Sequence, residues 1–578
     1  NQLKRQNLDA FLVPRSDKYQ GEFIQKCDER LMWISGFSGS AGLCLITNRS
    51  AFIFVDGRYK DQVHREINTD IFTPIPTSKI TFSEWISLNL VNTKIGYDPW
   101  LHTVNEISKL EKISTDLGVS FIRTKNLVDQ IWSSQPKKSK LSIRKHPKKY
   151  SGISSKEKRG KISQALKMNE MDVAICTKPE SICWLLNIRG DDIEHTPIIQ
   201  VMAFIYKTSK IVLFLRDTDL SSGILKFLGT DVKIFADDDL NKYLDSLADK
   251  NIQIDPSTCP IKIYDRIKNS AKRILYADDP CLLPRAIKNK TEIKGCKKAH
   301  LVDGTAVVNF LYWLDIEKQN AQLDEITILK KLEEFRKSTG KLKDISFDTI
   351  SALGANAAII HYRVSKRTNK NIGEEALLLL DSGGQYEMGT TDLTRTIAVG
   401  SPSRHMVNAY TRVLKGMIAI SALRWPAGLA GRDIDSFGRY SLWEDGMDYD
   451  HGTGHGIGSY LSVHEGPHAI SRRNSVSLEP GMLVSNEPGY YQPGKFGIRI
   501  ENVLLVKESG IKPKNRGNIL EFETLSLAPI DKSLINKKLL TAKEQEWLNK
   551  YHEEVKRQIS PLVNSAVQSW LTDACYPI

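Results

Sequence analysis

Residues 377–501 carry five side chains suited to holding a hard metal ion: Asp381, Asp392, His455, Glu487 and Glu501. They stand at the end of the apolar run LLLLD, within TTDLTRT and HGTGHGIG, and in NEPGYY and GIRIEN. Four carboxylates in one site would carry a formal charge of about −4, and their repulsion raises their pKa values until protons or cations bind. Two divalent cations cancel that charge. An oxygen-rich set with one imidazole and no thiolate suits Mn²⁺, with Co²⁺ or Zn²⁺ as alternatives. Two such ions about 3.5–4 Å apart can share a hydroxide and polarise a carbonyl, which is hydrolytic chemistry.

Taken singly, each acid reads as a turn or cap residue; the joint pattern points to a metal site. Asp381 closes an apolar run over residues 376–380, and Asp392 precedes the run 393–399 across a Gly-containing loop. This predicts two antiparallel strands carrying both acids near the same end. Glu487 and Glu501 repeat the arrangement across a loop at 488–497, after which residues 498–506 alternate as one strand. The glycines around His455 predict irregular or strand-edge backbone rather than a zinc helix shared with His451.

Three more histidines fall near these acids: His361 in AAIIHY, His451 in YDHGTGH and His464 in SVHEGP. Metal-assisted peptide cleavage needs a base, an oxyanion stabiliser and a proton donor for the departing amine. Neutral imidazoles suit the last of these tasks. Arg499, two residues before Glu501, is placed to orient ligands.

The segments LLDSGGQYEMGTTDLTRT, YDHGTGHGIGSYLSVHEGP and NEPGYYQPGKFGIRIENV, with FSGSAG and VDGRY near the start, resemble the cytosolic three-domain aminopeptidase P (Xaa-Pro aminopeptidase) family. That family belongs to the pita-bread metallopeptidases, related to prolidase and methionine aminopeptidase, and the similarity covers nearly the whole chain. The resemblance implies that Asp381, Asp392, His455, Glu487 and Glu501 hold two Mn²⁺ ions and that Glu487 is also the general base. It further implies that His464 stabilises the oxyanion and that His361 and His451 contact substrate and relay protons. Substrate binding then falls to Arg58, His361, His455, His464, Glu487 and Arg499. The expected partners are peptides with proline in second position and a second copy of the chain, in a cytoplasmic homodimer. Prolidase, cleaving dipeptides only, is the nearest alternative; methionine aminopeptidase needs fewer domains, and a non-catalytic pita-bread binding protein would not need all five ligands.

The chain has 578 residues, too long for one core, so three or four domains are expected. Short strands alternating with helical stretches predict an α/β class. The expected domains are two smaller creatinase-like α/β units at 1–135 and 150–280, then a pita-bread catalytic domain at 281–578. Trp33 and Trp184, each followed six positions later by Gly39 or Gly190, hint at a duplication. The basic stretch 133–149 reads as a linker or exposed loop. Helices are predicted at 154–168, after the Asn289/Glu292 capping box, and after Thr541/Glu544, where Trp547, Tyr551, Val555 and Ile559 form an apolar stripe meant for packing on the catalytic domain.

No apolar run approaches the roughly 18 residues of a membrane span, and no secretory apolar segment opens the sequence. Eight scattered cysteines without CxxC spacing read as reduced thiols of a cytosolic protein. The net charge of +13 raises nucleic-acid binding, but much of it sits in PKKSKLSIRKHPKK, so nucleic acid is set aside as a partner.

Overall fold

The computed structural model describes residues 1–578 except 115–116, 321, 374–375 and 512–516. The chain divides into one unit of residues 1–148 and 153–282, and a second of residues 149–152 and 283–578.

The first unit holds two six-stranded sheets of the same topology. One runs in the order Phe72–Pro76, Ala51–Val55, Leu43–Thr47, Ala10–Pro14, Lys94–Tyr97, Ser120–Arg123. The other runs Val232–Ala236, Ile211–Leu215, Met202–Tyr206, Val173–Cys176, Asn251–Ile254, Arg273–Tyr276. In each, three central strands pair antiparallel and the outer ones add in parallel. Parallel additions require crossovers, which helices such as Phe82–Asn89 and Ile261–Ile267 supply. The repeat hinted at by Trp33 and Trp184 is thus a repeat of topology. Both halves contribute to one apolar cluster, with Leu12, Phe54 and Tyr97 from the first and Val173, Phe204 and Phe214 from the second. Helix Ser155–Met168 starts at a capping box between Ser154 and Glu157.

The basic stretch departs from its reading as loop. Ile143–Lys145 forms a strand antiparallel to Ile188–Gly190, and Arg144 bonds Asp191. Its partner lies some 45 residues on, so no local signal marks it.

The second unit holds the long helix Lys290–Glu317, capped reciprocally by Asn289 and Glu292, which buries Ala306, Phe310 and Leu314. Helices Arg404–Ser421 and Gly431–Trp443 touch backbone to backbone: a Cβ on Gly416 would lie 2.1 Å from the Gly438 carbonyl oxygen. The helix Ala542–Ile559, capped by Thr541 and Glu544, buries Leu548, Tyr551, Val555 and Ile559 in this unit's core, as its stripe required. One three-stranded sheet orders Ile350–Leu353, Leu377–Ser382, Leu393–Ala398; a six-stranded sheet includes Glu465–Ile470, Gly454–Gly456, Leu483–Asn486 and Asn502–Glu508.

Residues 498–506 are not one strand, and 488–497 is not a loop. Gly489–Gln492 and Phe496–Arg499 form a separate hairpin, and Asn502–Glu508 joins the six-stranded sheet. At the switch, Ile500 N–H donates to the Pro488 carbonyl (3.3 Å) and Glu501 N–H to the Thr394 carbonyl (3.1 Å). Apolar alternation survives the switch because both pieces face buried surroundings, so the pattern hides the break.

Candidate active site

Four segments deliver the acids and the imidazole. Asp381 lies opposite Thr394 in the Leu377–Ser382/Leu393–Ala398 pair, and Asp392 directly precedes the second strand, so both acids occupy the same end, as expected. His455 sits in the strand Gly454–Gly456, whose glycines permit close approach: a Cβ on Gly454 would meet the Ser485 carbonyl oxygen at 1.9 Å. Glu487 follows Leu483–Asn486 and is pinned by its N–H donating to the Thr453 carbonyl at 2.8 Å. Glu501 stands at the sheet switch, where Thr394 Oγ1 donates to its Oε2 at 2.8 Å.

These groups converge. Ligand atoms of Asp392, His455 and Glu501 lie within 4.8 Å of one another. His455 Nε2 is 3.5 Å from both Asp392 Oδ2 and Glu487 Oε1. Its Nδ1 bonds the Gly456 carbonyl at 2.9 Å, which leaves the Nε2 lone pair facing the acids, the tautomer a metal ligand needs. Arg499 Nη2 donates to Asp381 Oδ2 at 2.5 Å.

The electrostatics call for cations. Burial first, then Glu501, Asp381 and Glu487, push Asp392 well above the carboxylate range. Burial, Asp381 and Glu487 do the same to Glu501. Burial raises Glu487 to about 7 despite the opposing pull of Arg499. Asp381 Oδ1 and Asp392 Oδ1 are buried with no hydrogen-bond partner among the described residues. Buried, unpaired carboxylate oxygens are costly unless a cation takes them up, so this oxygen-rich set fits divalent metal.

Two of the other predicted histidines, His464 and His451, lie beside these groups. The His464 ring lies 4.4 Å from that of His455, edge to face. His451 bonds the Gly452 carbonyl through Nδ1 (2.8 Å) and the Tyr491 hydroxyl through Nε2 (3.0 Å). Arg499 Nη1 donates to the same hydroxyl at 2.7 Å, so His451, Tyr491, Arg499 and Asp381 form one chain of contacts. Arg499 Nη1 also reaches the carbonyl of Ile360, the residue before His361, at 3.4 Å. Burial works against the Arg499 charge, but Tyr491, Asp381 and Glu487 together hold the guanidinium firmly protonated. Burial also pushes the Tyr491 phenol to about 12. Tyr491 and Thr394 escaped sequence reasoning; their only signal was membership of NEPGYY and TTDLTRT. Arg58 lies in the first unit, where its guanidinium bonds both Asp56 carboxylate oxygens at 3.0 and 2.7 Å.

Residues 294–508 match the model of metallopeptidase family M24, and 518–578 match that of the C-terminal region of peptidase M24. Residues 1–131 and 134–292 each match a creatinase/prolidase N-terminal domain. The chain belongs to metallopeptidase family M24, with two creatinase-type α/β domains followed by a pita-bread domain. It is 36% identical to aminopeptidase P2 of Arabidopsis thaliana over 99% of this chain and 86% of that protein. It is equally 36% identical to Xaa-Pro aminopeptidase 1 of Dictyostelium discoideum over 100% of this chain and 95% of that one. An X-prolyl aminopeptidase from Caenorhabditis elegans, a cytosolic enzyme with a di-nuclear active site, superposes with TM-score 0.94 at 31% identity, covering 99% of this chain and 95% of that one. A Xaa-Pro dipeptidase from Bacillus anthracis superposes with TM-score 0.52 at 27% identity, over 65% of this chain and 99% of that one.

Proposed function

We propose that this chain is an Xaa-Pro aminopeptidase that releases the N-terminal residue from peptides with proline in second position. The observation that carries the reading is the cluster of Asp392, His455 and Glu501, with ligand atoms within 4.8 Å of one another and Glu487 3.5 Å from His455, together with Asp381 and Asp392 oxygens that have no hydrogen-bond partner among the described residues. Asp381, Asp392, His455, Glu487 and Glu501 would hold two divalent ions, with Mn²⁺ favoured by the carboxylate majority over Co²⁺ or Zn²⁺. When bound, the ions supply Lewis acidity and water activated at neutral pH.

The remaining work falls to side chains. Glu487, whose Oε1 lies 3.5 Å from His455 Nε2, is assigned the role of general base that takes and returns a proton. His464, whose ring lies beside that of His455, is assigned to donate to the oxygen that gains charge as the carbonyl is attacked. The leaving nitrogen of an Xaa-Pro bond is a secondary amine that must be protonated, a task assigned to His361 and His451; the Tyr491–Arg499 chain holds His451. Proline lacks an N–H and has a fixed φ, so enzymes that bind substrate as an added strand handle it badly. The family resemblance adds Arg58 as a substrate contact.

Aminopeptidase is favoured over prolidase because the dipeptidase structure accounts for only 65% of the chain, whereas the X-prolyl aminopeptidase covers 99%. A cytoplasmic location is supported by eight buried, unbridged cysteines. A homodimer is supported by Phe437, Tyr440 and Trp443, exposed at 46%, 63% and 41% and three residues apart on one helix.

The test is hydrolysis of Arg-Pro-Pro by metal-stripped protein with Mn²⁺ restored, beside Gly-Pro and an Asp392→Asn variant. Mn²⁺-dependent release of free Arg, lost in the variant, is expected. Cleavage of Gly-Pro alone would make the enzyme a prolidase, and no cleavage with any metal would end the peptidase reading.

A further inference from the structure

The loop that carries His451 is held from below by helix Gly431–Trp443. Asp435 and Arg439 sit one turn apart on it, with side chains 1% and 3% exposed. Arg439 Nε donates to Asp435 Oδ2 at 2.8 Å. Its Nη1 donates to Asp448 Oδ1 (2.7 Å) and to the Tyr449 carbonyl (2.8 Å), and its Nη2 to the His451 carbonyl (2.6 Å). The guanidinium also lies 3.8 Å from the centre of the Tyr449 ring, which in turn lies 4.7 Å from the His451 ring. Asp435 Oδ1 accepts from Thr453 Oγ1 at 2.6 Å, and the Thr453 carbonyl accepts the Glu487 N–H at 2.8 Å. Gly438 permits this approach, since a Cβ there would come within 2.7 Å of Thr453 Cγ2.

We propose that Asp435 and Arg439 are positioning residues for His451 and Glu487, acting through the backbone of residues 449–453. The proposal rests on the peptidase reading of the site. A buried ion pair is by itself weak evidence of a stabilising role. Two features point to positioning instead: two guanidinium nitrogens are spent on loop carbonyls, and the partner carboxylate ties down Thr453. Only arginine's planar, five-donor fork can hold two carbonyls and two carboxylates at once. With it in place, the His451 ring is bounded by Tyr449, the Gly452 carbonyl and the Tyr491 hydroxyl. A displacement of about 1 Å in such a group can cost 10²-fold in rate.

The test compares Arg439→Lys and the charge-swapped pair Asp435→Arg/Arg439→Asp with wild type, as full-length Mn²⁺-loaded protein acting on Arg-Pro-Pro. Arg439→Lys should lower kcat about 10–100-fold with KM within about threefold, at unchanged Mn²⁺ content, unchanged mass by light scattering and unchanged near-ultraviolet circular dichroism. The swapped pair should not recover activity, because it restores the ion pair without the carbonyl contacts. Wild-type kcat in Arg439→Lys, recovery in the swap, or a loss that merely tracks metal or folded fraction would overturn the proposal. Should the swap fail to fold, Arg439→Lys decides alone. In protein loaded with diamagnetic Zn²⁺ instead, the His451 imidazole resonances give a reading independent of turnover: they should move in Arg439→Lys, and unmoved signals would overturn positioning. Inactive wild-type protein would instead overturn the peptidase assignment.

Discussion

Replacing Arg499 with Met takes a guanidinium away from the carboxylate cage while keeping much of its volume. Arg499 is 2% exposed and bonds Asp381 Oδ2 at 2.5 Å and the Tyr491 hydroxyl at 2.7 Å. Its charge opposes the upward shifts of Asp392, Glu487 and Glu501. At the effective dielectric of about 20 suited to protein sites, a unit charge 4 Å away is worth about 4 kcal/mol before competing terms, so its loss should be felt at several acids. Metal binds deprotonated ligands, and protons compete with it. Below the Glu487 value of about 7 the proton competes at that group; removing Arg499 raises the value further, so the pH range over which metal binding releases protons must move upward. Loss of a group that orients ligands typically costs 10–100-fold in metal affinity, about 1.4–2.7 kcal/mol. Calorimetric titration with Mn²⁺ from about pH 6 to 8.5, in two buffers of different ionisation enthalpy, measures both affinity and protons released. Arg499→Lys keeps the charge but not the fork spanning Asp381 and Tyr491, and should retain the wild-type pH midpoint with intermediate affinity. Unchanged affinity and proton release in Arg499→Met, or a downward pH shift, would refute the electrostatic account.

Chelator-treated wild-type protein should lose stability as pH rises from about 4.5 to about 7. The folded Glu487 value is raised, so its stabilising protonation is complete below the unfolded value and is lost through the folded one, on the order of 3 kcal/mol. Urea denaturation at acid and neutral pH reads this, Mn²⁺ should restore the loss at neutral pH, and a metal-free protein more stable at neutral pH would contradict it. Glu325→Ala should cost at least about 3 kcal/mol in urea denaturation, because the buried carboxylate accepts from Leu353 N–H (2.7 Å), Asn356, Tyr362 and Lys370 N–H (3.1 Å); a cost under about 1 kcal/mol would show that these donors find other partners. Tyr440→Glu should convert a dimer to monomers in light scattering, and an already monomeric wild type would remove the dimer from the reading.

Much of the local structure was legible in residue order. The capping pairs Asn289/Glu292 and Thr541/Glu544 mark helix starts because the side chains that satisfy a first turn lie within three residues. The antiparallel pairing that sets Asp381 and Asp392 at one end could be read from apolar runs around a short loop. The types of Asp381, Asp392, His455, Glu487 and Glu501 limited the chemistry to hard-metal hydrolysis before any coordinate was known. Tertiary structure alone decided that Arg499 reaches Asp381 across 118 residues, that Tyr491 joins it to His451, and that the chain changes sheets at Glu501. The Ile143–Lys145 strand was hidden for the same reason. Periodicity and capping depend on neighbours a few residues apart, whereas which buried acid faces which cation depends on register between strands distant in the chain, and that register is set by packing.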